Sequence, residues 1–187
     1  MHIHTVTLLL LVCIRVSAQD EAFHLLFPAN ESWTAQAPDE HPDYQSWSLY
    51  PQGQDQDDHT AAVTVTVFRE RLSLGVGQVM AGIIEEERPL YQEARVTTIE
   101  RRTAIDAPVN FILFSIEATG RGETPSRSTL YYILQGEAHT YIITWAVPGA
   151  GFPGKALKTW QKTLLNGSLQ PVSQAEALRT GGATLQD

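Results

Sequence analysis

Three apolar runs of strand length follow one another between residues 109 and 147, and the joints between them are too short for anything but antiparallel pairing. The runs are 109–118 (VNFILFSIEA), 126–135 (SRSTLYYILQ) and 140–147 (TYIITWAV). The first joint covers residues 119–125 and the second is Gly136-Glu137-Ala138-His139. Parallel neighbours need a crossover of about a dozen residues or more, whereas a four-residue joint suits a hairpin. The first run is apolar throughout and belongs at the centre of a sheet.

Other segments add strands of a different character. In 62–68 (AVTVTVF) valines at 63, 65 and 67 alternate with small or polar residues, which predicts a strand with one face in a core. Residues 44–50 (YQSWSLY) alternate in part: Tyr44, Ser46, Ser48 and Tyr50 share one side, Gln45, Trp47 and Leu49 the other. Residues 23–28 (FHLLFP) form a short apolar strand stopped by proline. Residues 93–102 are polar and suit a sheet edge. Helical spacing of Val76, Val79, Met80 and Ile83 predicts a helix over 74–88, ended by Pro89. Phe152, Ala156, Trp160 and Leu164 predict a second over 152–165, stopped by Asn166-Gly167 in the left-handed conformation. The fold class is α+β, an antiparallel sheet of about six or seven strands with two main helices packed on it.

The first 18 residues bear on where such a domain works. Val6–Ile14 (VTLLLLVCI) is an apolar run followed by Val16 and Ala18 at the −3 and −1 positions of a signal-peptidase site. The run falls short of the roughly 20 residues a membrane span requires. We therefore expect a cleavable signal peptide over 1–18, one domain over 19–169, a flexible tail over 170–187, and a periplasmic or secreted protein. An N-terminal strand is the alternative for the same run. Cys13, the only cysteine, would leave with the leader, so no disulfide and no thiol chemistry remain. Lipid anchoring at Cys13 is disfavoured by Val12 before it. The remaining chain keeps 12 basic against 21 acidic side chains, a net charge of −9. That balance repels nucleic-acid phosphates and anionic lipid and favours a basic protein or a cation.

The opening FHLLFPANESW, the alternating AAVTVTVF, the helix after it, the RSTLYYILQGEAHTYIITW hairpin and the closing helix resemble the PsbP/DcrB-like family over about residues 23–168. The resemblance implies an antiparallel sheet covered by helices, and members that bind other proteins as accessory or chaperone-like subunits. It transfers no catalytic or ligand residue to this chain.

A search for chemistry returns little. His24, His41, His59 and His139 include no pair at the three- or four-residue spacing of a helical zinc site, and no G-x-S-x-G elbow is present. Glu85-Glu86-Glu87 reads as a solvated helix end, and Gly120-Arg121-Gly122-Glu123 lacks the lysine or helix start of a phosphate loop. Asp55, Asp57 and Asp58 lie in a loop without the turn glycine and distal acid of a calcium site. Catalytic, cofactor and metal residues are thus expected to be none. Trp47, Tyr50, Asp55, Asp57, Asp58, Tyr131 and Tyr132 are the candidate partner-binding residues. Adjacent Tyr131 and Tyr132 must point to opposite faces of their strand, so either a ring meets a partner or a second layer covers it. The expected function is non-enzymatic protein binding, as an accessory, chaperone-like or inhibitor/immunity protein, with a basic exported protein as partner. The alternative is a carrier holding a small apolar ligand between helix and sheet.

Overall fold

The computed structural model describes residues 11–13, 21–28, 32–103 and 109–171. In chain order the elements are β1 (Leu11–Cys13), β2 (Glu21–Leu26), β3 (Trp33–Ala35), β4 (Asp39–Glu40), β5 (Tyr44–Pro51), β6 (Ala62–Phe68) and α1 (Val76–Glu87). A 3-10 turn (Arg88–Leu90) leads to β7 (Glu93–Arg102), β8 (Asn110–Thr119), β9 (Arg127–Gln135), β10 (Thr140–Pro148), α2 (Ala156–Leu165) and β11 (Ser168–Pro171). The fold is α+β: an antiparallel eight-stranded sheet in the order β3-β5-β6-β10-β9-β8-β7, with β4 also beside β5, and two helices. A smaller sheet, β1-β2-β11, is hydrogen-bonded separately and packs through β2 against the large one.

The chain leaves β6 near the middle of the large sheet, crosses one face as α1, and enters the far edge as β7. It then returns strand by strand until β10 closes on β6. That path puts β8, β9 and β10 inside the sheet. β8 and β9 are buried along almost their whole length, which is why their sequences read as continuous apolar runs instead of alternating.

Each face has its own core. On one, Val63, Val65, Val67, Leu113, Leu130, Tyr132, Ile143 and Trp145 meet Trp160 and Leu164 of α2 and Phe23 and Leu25 of β2. On the other, Ile112, Phe114, Ile116, Tyr131 and Ile133 meet Val76, Val79, Met80 and Ile83 of α1. Buried Gln135 fixes where α1 begins: its side-chain amide donates to the carbonyls of Leu72 and Leu74 at 3.2 and 2.7 Å. The Leu72 N–H in turn donates to the Thr140 hydroxyl at 3.0 Å.

The structure corrects the sequence reading in three places. Helix α2 starts at Ala156, not 152, because Phe152 precedes Pro153 and Gly154 has φ +42°. Asn166 ends that helix in the right-handed region, φ −84°, not the left-handed one. The segment 168–171, whose last two residues the reading assigned to a tail, is a strand that pairs Leu169 with Phe23; residues 172–187 lie outside the described residues. Residues 11–13, in the segment read from sequence as a leader, pair with Leu26, Leu25 and His24, and the other side of β2 pairs with β11.

Gly167 is where α2 hands over to β11. A Cβ there would run into Cζ of Phe23, a ring fully buried against Tyr132 and Tyr141. The ring has nowhere to swing. Gly167→Ala should therefore destabilise by roughly 1–3 kcal/mol through overpacking, read as a lower urea midpoint at unchanged m-value. An unchanged midpoint would show that the seam between α2 and the small sheet is looser than its geometry.

Candidate functional site

Helix α1 lies over β8 and β9 and, among the described residues, leaves the β5-β6-β10 half of the same face uncovered. Register defines what lines that half. Ser46 pairs Thr66 and Ser48 pairs Thr64 across β5 and β6. Thr66 then pairs Ile142 and Thr64 pairs Thr144 across β6 and β10. All six are half-buried, and the Ser46 and Thr66 hydroxyls lie 3.0 Å apart. The result is a shallow hydroxyl-lined surface beside an apolar helix.

Aromatic residues close its two ends. At one, Tyr44 stacks on His41 at 4.5 Å and meets Phe68 at 5.7 Å. Asp39, Glu40 and Asp43 are exposed around it, and Glu40 pairs with Arg69 at 3.1 Å. At the other end Tyr50 meets His59 at 5.1 Å, and this contact anchors the 51–60 loop that carries exposed Asp55, Asp57 and Asp58. The Asp55 carboxylate accepts the N–H groups of Asp57 and Asp58 at 2.9 and 3.2 Å, so it shapes the turn while its two neighbours face solvent. Acidic side chains therefore stand at both ends of β5.

The sequence-predicted residues divide accordingly. Asp55, Asp57 and Asp58 gather at one end of the open half, beside Tyr50, whose own ring is 7% exposed and packed against His59, so that burial corrects its candidacy as a contact residue too. Trp47 sits on the opposite face of β5, half-buried against the α2-side core. Tyr131 and Tyr132 are 6% and 3% exposed, so both rings are taken up inside the protein, one under α1 and one under the α2 layer. This corrects their candidacy as contact residues: two covering layers, one on each face, remove both from the surface. The hydroxyl-bearing positions Ser46, Ser48, Thr64, Thr66 and Thr144 escaped sequence reasoning. The signal was present in the alternation of 62–68, which was read for its valines and not for the threonines between them.

The most concentrated polar cluster is a structural stitch. Arg127 Nη2 donates to both carboxylate oxygens of Glu87 at 2.7 and 2.9 Å, and the Tyr131 hydroxyl donates to Oε1 at 3.0 Å. The guanidinium lies 5.9 Å from the Tyr91 ring centroid. Burial opposes the charge of Arg127, but Glu87 together with the Tyr91 and Tyr131 side chains outweighs it, and the proton is held more tightly than usual. Burial, reinforced by Glu87, pushes the Tyr131 hydroxyl well above the ordinary tyrosine range. Each group is neutralised or paired within the cluster, which ties the end of α1 to β9. Glu85 and Glu86 are the solvated helix end expected from sequence; Glu87 is not.

Rings also fill the space between α2 and the sheet, where the ligand alternative needs room. Trp160 stacks on Trp145 at 5.3 Å and meets Trp33 and Phe27 edge-on at 5.5 and 5.8 Å; Phe152 also stacks on Trp145, at 5.4 Å. The indole N–H groups of Trp33 and Trp145 are buried there without an acceptor.

Among the described residues no group of three or more His, Cys, Asp or Glu could hold a metal ion, and no helix is long and apolar enough to cross a membrane. Fold and surface together define an α+β domain with a two-sided core and one open polar half-face flanked by acids. The chain matches no family model and no curated protein.

Proposed function

We propose that this is an exported, non-enzymatic domain that works by protein contact, covering a basic partner with the open half-face of β5, β6 and β10. The observation that carries the reading is the position of the acids. The open half-face ends on both sides in exposed carboxylates, Asp39 and Asp43 at one end and Asp57 and Asp58 at the other. Hydroxyls supply hydrogen bonds across the middle, and Tyr44 and Phe68 add aromatic surface at the rim, the kind of side chain enriched at interfaces. The acidic balance of the whole chain adds long-range attraction. An accessory, chaperone-like or inhibitor/immunity role in the periplasm or outside the cell fits this surface, as does the resemblance to PsbP/DcrB-like proteins.

The test is an affinity capture with the tagged protein from its native envelope or secreted fraction. One stoichiometric basic protein is expected. Asp57→Lys with Asp58→Lys should then weaken its binding by roughly tenfold or more and flatten the salt dependence. The turn survives this change, because Asp55 supplies its acceptor. Full binding by the double variant would place the contact elsewhere.

One observation favours the carrier reading, the pair of acceptorless indole N–H groups under α2. A bound molecule with a polar atom would satisfy them. Native mass spectrometry of protein purified from its own compartment separates the two readings, since a carrier brings its ligand and a contact domain does not.

A further inference from the structure

Strand β7 is the far edge of the large sheet, ten residues long and paired on one side only, with β8, among the described residues. Its sequence, EARVTTIERR, is complementary to itself when reversed. Folding it about the bond between Thr97 and Thr98 sets Glu93 against Arg102, Arg95 against Glu100, Val96 against Ile99 and Thr97 against Thr98. Two copies laid antiparallel in that register would match acid to base at four positions.

In a regular strand this register fails. Successive side chains alternate between faces, so residues whose numbers add to an odd total, as 93 and 102 do, point to opposite faces and cannot meet across a two-fold axis. Strand β7 is not regular. Its register with β8 shifts between Thr98 and Glu100, so that Thr98 pairs Phe114 and Glu100 pairs the next residue, Leu113, leaving Ile99 as the extra residue. The bulge moves everything after it to the other face. Glu93, Arg95 and Thr97 pair Thr119, Glu117 and Ser115, and Glu100 and Arg102 pair Leu113 and Phe111. These five therefore share the α2 side of the sheet. Ala94 and Arg101, opposite Ala118 and Ile112, share the α1 side. The bulge lies just past the centre of the palindrome and brings its charged outer thirds onto matching faces.

Bulges and edge charges ordinarily protect a strand from pairing with a stranger. Here both features are arranged so that one partner, an identical strand, suffers no charge conflict. Glu93, Arg95, Glu100, Arg101 and Arg102 are all exposed. Among the described residues only Arg95 of these has an ion pair, with Glu117 at 2.7 Å, and its side chain is still 70% exposed. Like charges would face each other in most other registers or in a parallel arrangement.

We propose that β7 is a self-association edge. Two copies of this chain join through antiparallel β7–β7 pairing about a two-fold axis at Thr97–Thr98, residues 93–95 of each laddering with 100–102 of the other. The large sheets then run on from one copy into the next. Such an isologous contact closes on itself and stops at two. An edge contact of this kind falls below about 1,200 Å² and makes a weak dimer that forms with concentration and loosens with salt. This inference is independent of the proposed partner surface, because β7 and β5 lie in opposite halves of the sheet.

Sedimentation equilibrium of the purified protein at low ionic strength, over a concentration series, should show the weight-average mass rising toward twice the monomer. Two charge variants supply the decisive arm. Arg102→Glu makes both outer positions acidic, and Glu93→Arg makes both basic. Each alone should self-associate about tenfold or more weaker than the parent, since like charges then face across the axis. Mixed one to one, they should form a heterodimer of near-parental affinity, seen as a mass of its own in native mass spectrometry. Both side chains are exposed, so circular dichroism should match the parent in each variant. A parent that stays monomeric at the highest concentration reached overturns the proposal. So do single variants that dimerise like the parent, or a mixture that forms no heterodimer.

Discussion

Trp160→Ala should remove about 3–5 kcal/mol of folding stability, the range for deleting a large aromatic side chain from a core. Trp160 is 1% exposed and is the ring on which Phe27, Trp33 and Trp145 converge. Stacked against Trp145 and edge-on to Trp33 and Phe27, it is the main side chain by which α2 grips the sheet. With total stabilities of about 5–15 kcal/mol usual for a domain, the variant should sit near its folding threshold. Urea unfolding followed by far-ultraviolet circular dichroism reads the loss. The near-ultraviolet signal of the stacked Trp145–Trp160 pair should vanish in the same sample. Trp47→Ala is the comparison, a half-buried indole at the margin of the same core, and should lose clearly less. A loss at Trp160 below about 1.5 kcal/mol would mean that α2 is held by something other than this ring cluster.

The second large effect is alkaline unfolding. Tyr131, Tyr132 and Tyr141 are all buried, and burial is the main cause that raises each hydroxyl, Tyr132 up to about 12. Glu87 adds to the shift at Tyr131, Glu100 at Tyr132 and Glu21 at Tyr141. The folded state therefore holds protons that the unfolded chain releases near pH 10. A raised pKa contributes stability that is complete below the unfolded value and is lost as pH rises above it. Each of the three groups should thus cost about 1.4 kcal/mol per pH unit above pH 10, until its own folded value is reached. A cooperative transition is expected between pH 10 and about 12, with the 295 nm phenolate absorbance rising together with the loss of circular dichroism. Tyr132→Phe removes one proton from the transition and should make stability fall less steeply with pH. Phenolate absorbance that rises well before the structure is lost would show that these hydroxyls reach solvent in the folded protein.

How much of this was legible beforehand differs from element to element. Strands β7, β8, β9 and β10 and the hairpin at Gly136–His139 could be read nearly to the residue, because runs joined by short turns permit few other arrangements. Helix α1 was legible from the period of Val76, Val79, Met80 and Ile83. Strand β11 was not, since four residues with one large apolar side chain carry no period; only pairing with β2 makes them a strand. The bulge in β7 was equally silent. Thr98-Ile99-Glu100 is unremarkable as sequence, and its phase shift exists only against β8.

The candidate surface shows the same division more sharply. The acids of the 51–60 loop and the aromatic residues of β5 could be picked out by composition. Their meeting at the end of an open half-face could not, because it depends on which strands α1 covers. Tyr131 and Tyr132 stood out as rings on opposite faces, and sequence alone left both a partner and a covering layer open as explanations. Local pattern is decided by the spacing of neighbours along the chain, so the sequence by itself determined the main strands, the two helices and the antiparallel pairing of the strands joined by short turns. Coverage is decided by elements far apart in sequence, Glu87 reaching Arg127 and Phe23 reaching Tyr132 and Tyr141. Only the tertiary structure could say which faces are sealed and which remain open, since burial belongs to the assembled layers and not to any one segment.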